Sequence, residues 1–304
     1  MKATLYTFFA LLAFAANSLF CRMALVEGHI DAWHFTIIRL VSAAVCLAII
    51  MVIHKQYAKH SVVSSHTIAN ENGSWLSSIS LVIYALCFSL AYVSLDTGTG
   101  ALILFSAVQL TMIGWGIYKK ERLNVLQWIA FIIAVAGFGY LMLPSATMPS
   151  WSAALLMAIS GAAWGIYSIR GQSCVSPLRA TGFNFIRSLL AVPLLLFIAL
   201  SYVTDISMQG VLLAGASGAL ASGVGYSIWY MAMPLLKSTQ AAVVQLSVPV
   251  LAAIFGMVFL AETPTLEFIT ASLIILGAVL MFVLNGPKKQ DIHENKRKNY
   301  LRKL

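Results

Sequence analysis

The run WHFTIIRLVSAAVCLAII, Trp33–Ile50, is apolar almost throughout, yet it carries one permanent cation, Arg39. A second run, GFNFIRSLLAVPLLLFIAL (182–200), does the same around Arg187. A helix needs about 20 apolar residues to cross the hydrocarbon core of a bilayer. Both runs have that length, so the question they raise is which solvent they face. The chain has 304 residues, of which 60% are hydrophobic and 10% charged, and its mean hydropathy is +0.88. Soluble domains carry about 25% charged residues. A globule of this size also leaves too much surface exposed to hide that many apolar side chains from water. The solvent is therefore lipid, and the fold class is an all-α integral membrane protein.

Scanning outward from Trp33 gives ten transmembrane helices, expected over 3–24, 33–53, 75–94, 99–118, 125–143, 151–169, 180–200, 210–232, 238–260 and 266–284. Most connections are short, so sequential helices form hairpins. With a cytoplasmic N-terminus, sixteen of the nineteen Lys and Arg residues fall on the inner side. Arg22 is left outside, and Arg39 and Arg187 lie within spans. Glu27, Asp31, Asp96, Asp205, Glu262 and Glu267 fall outside. The positive-inside rule thus places both termini in the cytoplasm of a cell with this protein in its inner (plasma) membrane. The tail KKQDIHENKRKNYLRKL supplies much of the net charge of +9 and reads as a solvated segment able to meet anionic lipid. Nothing points to nucleic acid.

The sequence also repeats itself. At a shift of 148, Arg22 falls on Arg170 and Arg39 on Arg187, with FTIIR (35–39) over FNFIR (183–187). At a shift of 141, GALILFSAVQL (100–110) lies over AAVVQLSVPVL (241–251), and Glu121 falls on Glu262. Each half holds five spans, an odd number, so the halves enter the membrane from opposite sides. Such inverted repeats mark many secondary transporters. The expected organisation is a first five-helix repeat at 1–146, a second at 147–286 and a basic cytoplasmic tail at 287–304. The repeat also makes the first segment part of the fold rather than a signal peptide, since its partner at 151–169 is internal.

With ten spans in two halves, the sequence resembles the drug/metabolite transporter superfamily, specifically its EamA-type members. The best stretch is STQAAVVQLSVPVLAAIFGMVFLAETPTLEFITASLIILGAVLMFV (238–283), with its internal proline, its Ala-Glu close and the apolar hairpin that follows. The first-half copy departs from it: Val108 stands where the second half has Pro249, and YKKERL replaces FLAETP. The resemblance implies movement of small organic molecules, usually export of amino acids, metabolites or drugs.

Polar groups deep in a bundle face its interior or a wet cavity. The candidates for a midplane substrate cavity are Asn17, Ser18, Tyr84, Gln109, Trp164, Tyr167, Tyr226, Trp229, Gln245 and Pro249. Pro249 has no N–H for the carbonyl of Gln245 and so frees one acceptor within the ninth span. The competing use of the amides is interhelical bonding, and that of the aromatics is packing. The small residues of GASGALASGVGYSIWY (215–230), and pairs such as Gly161 and Gly165, permit close helix approach or bending.

The two intramembrane arginines admit two readings. In one, each snorkels to headgroups or caps neighbouring helix ends. In the other, each pairs with a glutamate of the opposite half, Arg39 with Glu262 at the outer face and Arg187 with Glu121 at the inner, as two gates that open in turn. No Walker, GxGxxG, HExxH or Ser-His-Asp pattern is present, the cysteines form no CxxC pair, and no carboxylate lies deep in a span. The chain is thus expected to be no enzyme, to hold no metal or cofactor, and to work as a secondary exporter of a small organic solute by alternating access. A multidrug carrier for lipophilic cations and a non-transporting membrane scaffold are the alternatives. The arginines and the missing deep acids speak against the first, and the second predicts a tightly packed centre.

Overall fold

The computed structural model describes residues 2–60, 73–119, 123–141, 150–171, 176–202, 205–232, 245 and 247–285. Glu121, the tail from 287 and most of 238–246 lie outside them. Every regular element among the described residues is helical. The helices are α1 (Lys2–Val26), α2 (Ala32–His60), α3 (Trp75–Tyr92), α4 (Thr97–Tyr118), α5 (Val125–Leu141), α6 (Trp151–Gly171), α7 (Pro177–Ser188), α8 (Val192–Ala199), α9 (Met208–Ala216), α10 (Gly225–Ala232), α11 (Ser247–Leu260) and α12 (Leu266–Leu284). Together α7 and α8 make the seventh expected span, and α9 and α10 the eighth. Among the described residues, seven spans are long and apolar enough to cross a membrane, and three shorter apolar helices, over 125–140, 247–260 and 266–282, stand where the fifth, ninth and tenth are expected.

Local chemistry sets the helix starts. Asp31 accepts from the N–H groups of Trp33 and His34 and so caps α2. Ser74 and Ser207 cap α3 and α9 through N–H bonds from Ser77 and Gly210. Asn124 and Gln127 bond each other's backbone N–H reciprocally, a capping box at the head of α5.

Two spans are broken, each for a stated reason. Pro193 has no N–H for the Leu189 carbonyl, so Leu189–Ala191 tightens into a 3₁₀ turn between α7 and α8. Between α9 and α10 the chain winds as a π-helix over Ser217–Val224, with Ser222 Oγ donating to the Ser217 carbonyl at 3.0 Å. Gly218 allows this wide turn to lie on α2, because a Cβ there would meet the Arg39 carbonyl and the Ser42 side chain.

The surface is inverted relative to a soluble protein. Phe8, Val45, Ile49, Leu194, Phe197 and Leu200 are exposed, whereas Asn17, Ser18, Arg39, Gln109 and Ser217 are buried. This is the distribution lipid requires. The sixth span packs on α3 and α4, while α1 packs on α9, α10 and α11; α5 pairs with α12, and α2 with α7, α8 and the π segment. At the α6–α4 contact Gly161 brings backbones together, since a Cβ on it would run into the Leu104 carbonyl.

Candidate functional site

Tyr84 stands at the middle of α3, and several helices converge on its side chain. Its hydroxyl accepts from Asn17 Nδ2 of α1 at 3.2 Å and from Arg39 Nη2 of α2 at 2.8 Å. Asn17 is fixed in turn by Ser217 Oγ, which donates to Asn17 Oδ1 at 2.6 Å from the start of the π segment. From α6, Ser160 Oγ donates to the Tyr84 carbonyl at 2.9 Å. The ring of Tyr84 lies 4.9 Å from that of Trp164, which lies 4.9 Å from Tyr226. One buried polar chain thus links α1, α2, α3 and the π segment, and an aromatic row continues it across α6 and α10.

A small cavity opens beside this row. Phe14, Asn17, Ser18, Tyr84, Phe88 and Trp164 line it, together with Leu104, Phe105, Ala221 and Tyr226. Its free volume is about 20 Å³, enough for one water molecule. A larger concavity of about 570 Å³ lies between α11 and α12, lined by Val250, Ile254, Met257, Leu273 and other apolar residues. Those side chains are exposed at the outer surface of the bundle. We assign the site instead to the small interior cavity, where polar groups converge.

Arg39 is the most unusual member of the cluster. Its residue is 2% exposed, and its guanidinium carbon sits 4.9 Å from the Tyr84 ring centre and 4.7 Å from that of Phe88. The two rings and one hydroxyl are its compensation. Nη1 is enclosed and has no hydrogen-bond partner, and among the described residues no carboxylate pairs with this arginine.

Two other arginines bind opposite ends of α3. Arg22 Nη1 donates to the Tyr92 and Val93 carbonyls at 3.0 and 2.9 Å, and its Nε to Glu262 Oε1 at 3.2 Å. Asp96 completes this ion cluster at 3.5 Å. Glu262 Oε2 also accepts from the Thr97 N–H at the head of α4, at 2.8 Å. At the other end of α3, about 27 Å away along the helix, Arg170 Nε donates to Ser74 Oγ and Ser77 Oγ, both at 3.3 Å. Asn184 of α7 accepts there from the Ser74 N–H at 2.9 Å.

The comparisons with known proteins agree with one another. The model of the EamA-like transporter family matches residues 151–284. An uncharacterized protein of Pseudomonas aeruginosa is 42% identical over 284 residues, covering 93% of this chain and 94% of that one. An uncharacterized transporter of Archaeoglobus fulgidus is 26% identical over 66% of this chain and 72% of its own, and the uncharacterized transporter YwfM of Bacillus subtilis is 24% identical over 74% and 78%. The chain belongs to the EamA-like transporter family. It is accordingly a multi-pass membrane transporter rather than an enzyme. A solved structure with 16% identity superposes with a TM-score of 0.61 over 93% of this chain and 96% of that one, which speaks for the fold alone.

Within this EamA-like chain, Asn17, Ser18, Tyr84, Trp164 and Tyr226 come together around the cavity. Tyr167 stacks beside Trp164 at 5.4 Å and bonds Thr181 Oγ1 at 3.0 Å, and Trp229 meets the cluster through Phe14 at 5.8 Å. Gln109, Gln245 and Pro249 are not among the lining residues. Gln109 is buried farther along α4, and Pro249 is buried in the first turn of α11.

The expected pairing of Arg39 with Glu262 does not occur in this conformation. Glu262 is taken by Arg22 at the end of α1, because Ala261, at φ +52°, turns the chain back toward that corner. Nor does Arg39 snorkel; α3 encloses it. Arg187 is only half-buried, 5.5 Å from the Trp75 ring, so the two arginines have different surroundings. Its expected partner Glu121 lies outside the described residues. The central place of Arg39, and the wall residues Phe14 and Phe88, were missed. The signal was present in spacing: Phe14 precedes Asn17 by three residues and Phe88 follows Tyr84 by four, so each shares its partner's helix face.

Proposed function

We propose that this transporter exports a small organic solute across the cell's inner membrane by alternating access, with 1–146 and 147–286 as two inverted halves and both termini cytoplasmic. The observation that carries the reading is the interior cavity, whose wall is drawn from α1, α3 and α4 of one half and from α6, the π segment and α10 of the other. A site divided between two halves can face either side as the halves rock. The exchanged packing supports the inverted repeat: the first span of each half lies on the third and fourth spans of the other.

The clamps support a two-gate cycle in revised form. Arg22 with Glu262 and Asp96 holds the outer end shut, and Arg170 with the Ser74–Ser77 cap holds the inner end. With both engaged, the cavity between the halves holds only about 20 Å³. Release of one clamp at a time opens the site to one side. The test is flux in proteoliposomes containing the purified full chain, against amino acids, organic acids, amines and dyes, with and without a pH gradient. Counterflow of any one solute supports transport, and no movement of any solute identifies a scaffold.

A further inference from the structure

We infer that the cavity of this transporter selects organic anions, with Arg39 binding the carboxylate of the substrate and the Trp164–Tyr226 row binding its apolar part; this rests on the transport reading above. The argument begins from the electrostatics of burial. A guanidinium keeps its charge at every accessible pH, so it cannot escape burial by losing a proton. Placing it in the interior of a membrane bundle is unfavourable unless its donors are filled. Here they are filled in part. Nη2 has the neutral Tyr84 hydroxyl at 2.8 Å, the rings of Tyr84 and Phe88 flank the plane, and Nη1 is enclosed without a partner.

The buried arginine at the end of α1 is treated differently. Arg22 has two carbonyls and two carboxylates. A purely structural Arg39 would be expected to have acquired an equivalent acid. Arg39 is not itself a lining residue; instead, Tyr84 and Phe88, the groups that hold it, are walls of the cavity, so a ligand reaches its guanidinium as those two rings move aside. The missing counter-charge is one that a ligand supplies.

The rest of the wall defines the remainder of the ligand. Among the described residues, every carboxylate is at a span end or loop, so nothing deep in the site pairs with an ammonium group. Phe14, Phe88, Trp164 and Tyr226 offer flat apolar faces, and Asn17 and Ser18 add small polar groups beside them. The class these groups suit, once the cavity widens beyond its present volume of about 20 Å³, is a small monocarboxylate with an aromatic or branched apolar body. A fork of guanidinium donors matches a carboxylate better than it matches a neutral amide.

The probe set is 3-phenylpropionate, its neutral amide 3-phenylpropionamide, and the cation phenethylammonium, which share one apolar body. Binding is read from Trp fluorescence of the full chain in detergent, since Trp164 lines the cavity, and movement from proteoliposome counterflow. The carboxylate is expected to bind at least about tenfold more tightly than the amide, the ratio for one charge-assisted hydrogen bond, with no saturable signal from the cation. Arg39→Gln is expected to bring the carboxylate down to the amide while leaving the amide within about threefold. The wild-type comparison decides the matter even if that variant does not fold. Equal binding of amide and carboxylate, tighter binding of the cation, no binding of any probe, or a folded Arg39→Gln that keeps its carboxylate preference each overturns the anion assignment. Counterflow of the cation alone would overturn this assignment and leave transport standing. Selective carboxylate binding without movement of any solute would do the reverse.

Discussion

Arg22 and Glu262 meet at 3.2 Å across a gap of 240 residues, with side chains only 11% and 14% exposed. The pair joins the end of α1 to the loop before α12, and the second oxygen of Glu262 holds the first N–H of α4. Removing one partner of a buried pair strands the other and costs roughly 3–5 kcal/mol. Arg22→Gln and Glu262→Gln are each expected to lower thermal stability in detergent. The double variant is expected to lose less than their sum, by about 0.5–3 kcal/mol. Additive losses would show that the two side chains are not coupled.

The same clamp predicts a change in access. Cys21 is buried next to Arg22, one position along α1. In a background with Cys46, Cys87 and Cys174 replaced by alanine, a membrane-impermeant thiol reagent is expected to label Cys21 faster in Glu262→Gln than in its parent. Unchanged labelling would leave the pair a structural tie rather than a gate.

Tyr84→Phe keeps the ring over Arg39 and deletes one oxygen. That oxygen serves two donors, Arg39 Nη2 and Asn17 Nδ2. Losing a hydrogen bond to a charged group costs about 1.5–3 kcal/mol. The variant is expected to unfold earlier in a detergent thermal melt by an amount in that range, and Asn17→Ala to lose less in Tyr84→Phe than in the parent. Full stability in Tyr84→Phe would mean that Arg39 is held by the rings alone.

Much of this site was legible in the sequence, for physical reasons that also explain what was not. Asn17, Tyr84 and Trp164 stand out because lipid offers polar side chains no partner, so depth alone marks them. Arg39 stands out for the same reason, but it lies only seven residues from the start of α2 at Ala32, which by sequence alone leaves it within reach of headgroups. Its enclosure depends on how α3 packs against α2, which no spacing within α2 encodes. Glu262 was assigned to the wrong arginine for a related reason. Both Arg22 and Arg39 lie toward the outer face in sequence, and the choice between them rests on the left-handed turn at Ala261. Alanine carries no sequence signal for that conformation.

Ala261 itself is a testable point of strain. At φ +52° it is the one described non-glycine residue in the left-handed region, a conformation that costs a residue with a Cβ roughly 1–2 kcal/mol. Ala261→Gly is expected to raise stability by about 1 kcal/mol in a thermal melt, less than the full strain because glycine loses more entropy on folding. Flux is expected to be unchanged, since the turn and the Arg22–Glu262 pair stay in place. A destabilised variant would show that the turn is held by something other than its backbone angle.

The eighth span offers a paired test with opposite signs. Gly215 and Gly218 lie three residues apart, but a Cβ at Gly215 meets nothing within 4 Å, whereas one at Gly218 meets the Arg39 carbonyl carbon at 3.0 Å and the Ser42 side chain closer still. Gly215→Ala removes a poor helix former from α9 and is expected to stabilise by up to about 1 kcal/mol. Gly218→Ala must push the π segment off α2, and overpacking of this kind costs about 1–3 kcal/mol. Because Ser217, the donor to Asn17, is the neighbouring residue, that displacement is also expected to loosen the polar chain ending at Tyr84. Gly218→Ala should therefore shift the Trp164 fluorescence, and Gly215→Ala should not. The same shift in both variants would show that the close approach of the π segment to α2 is not what aligns the site.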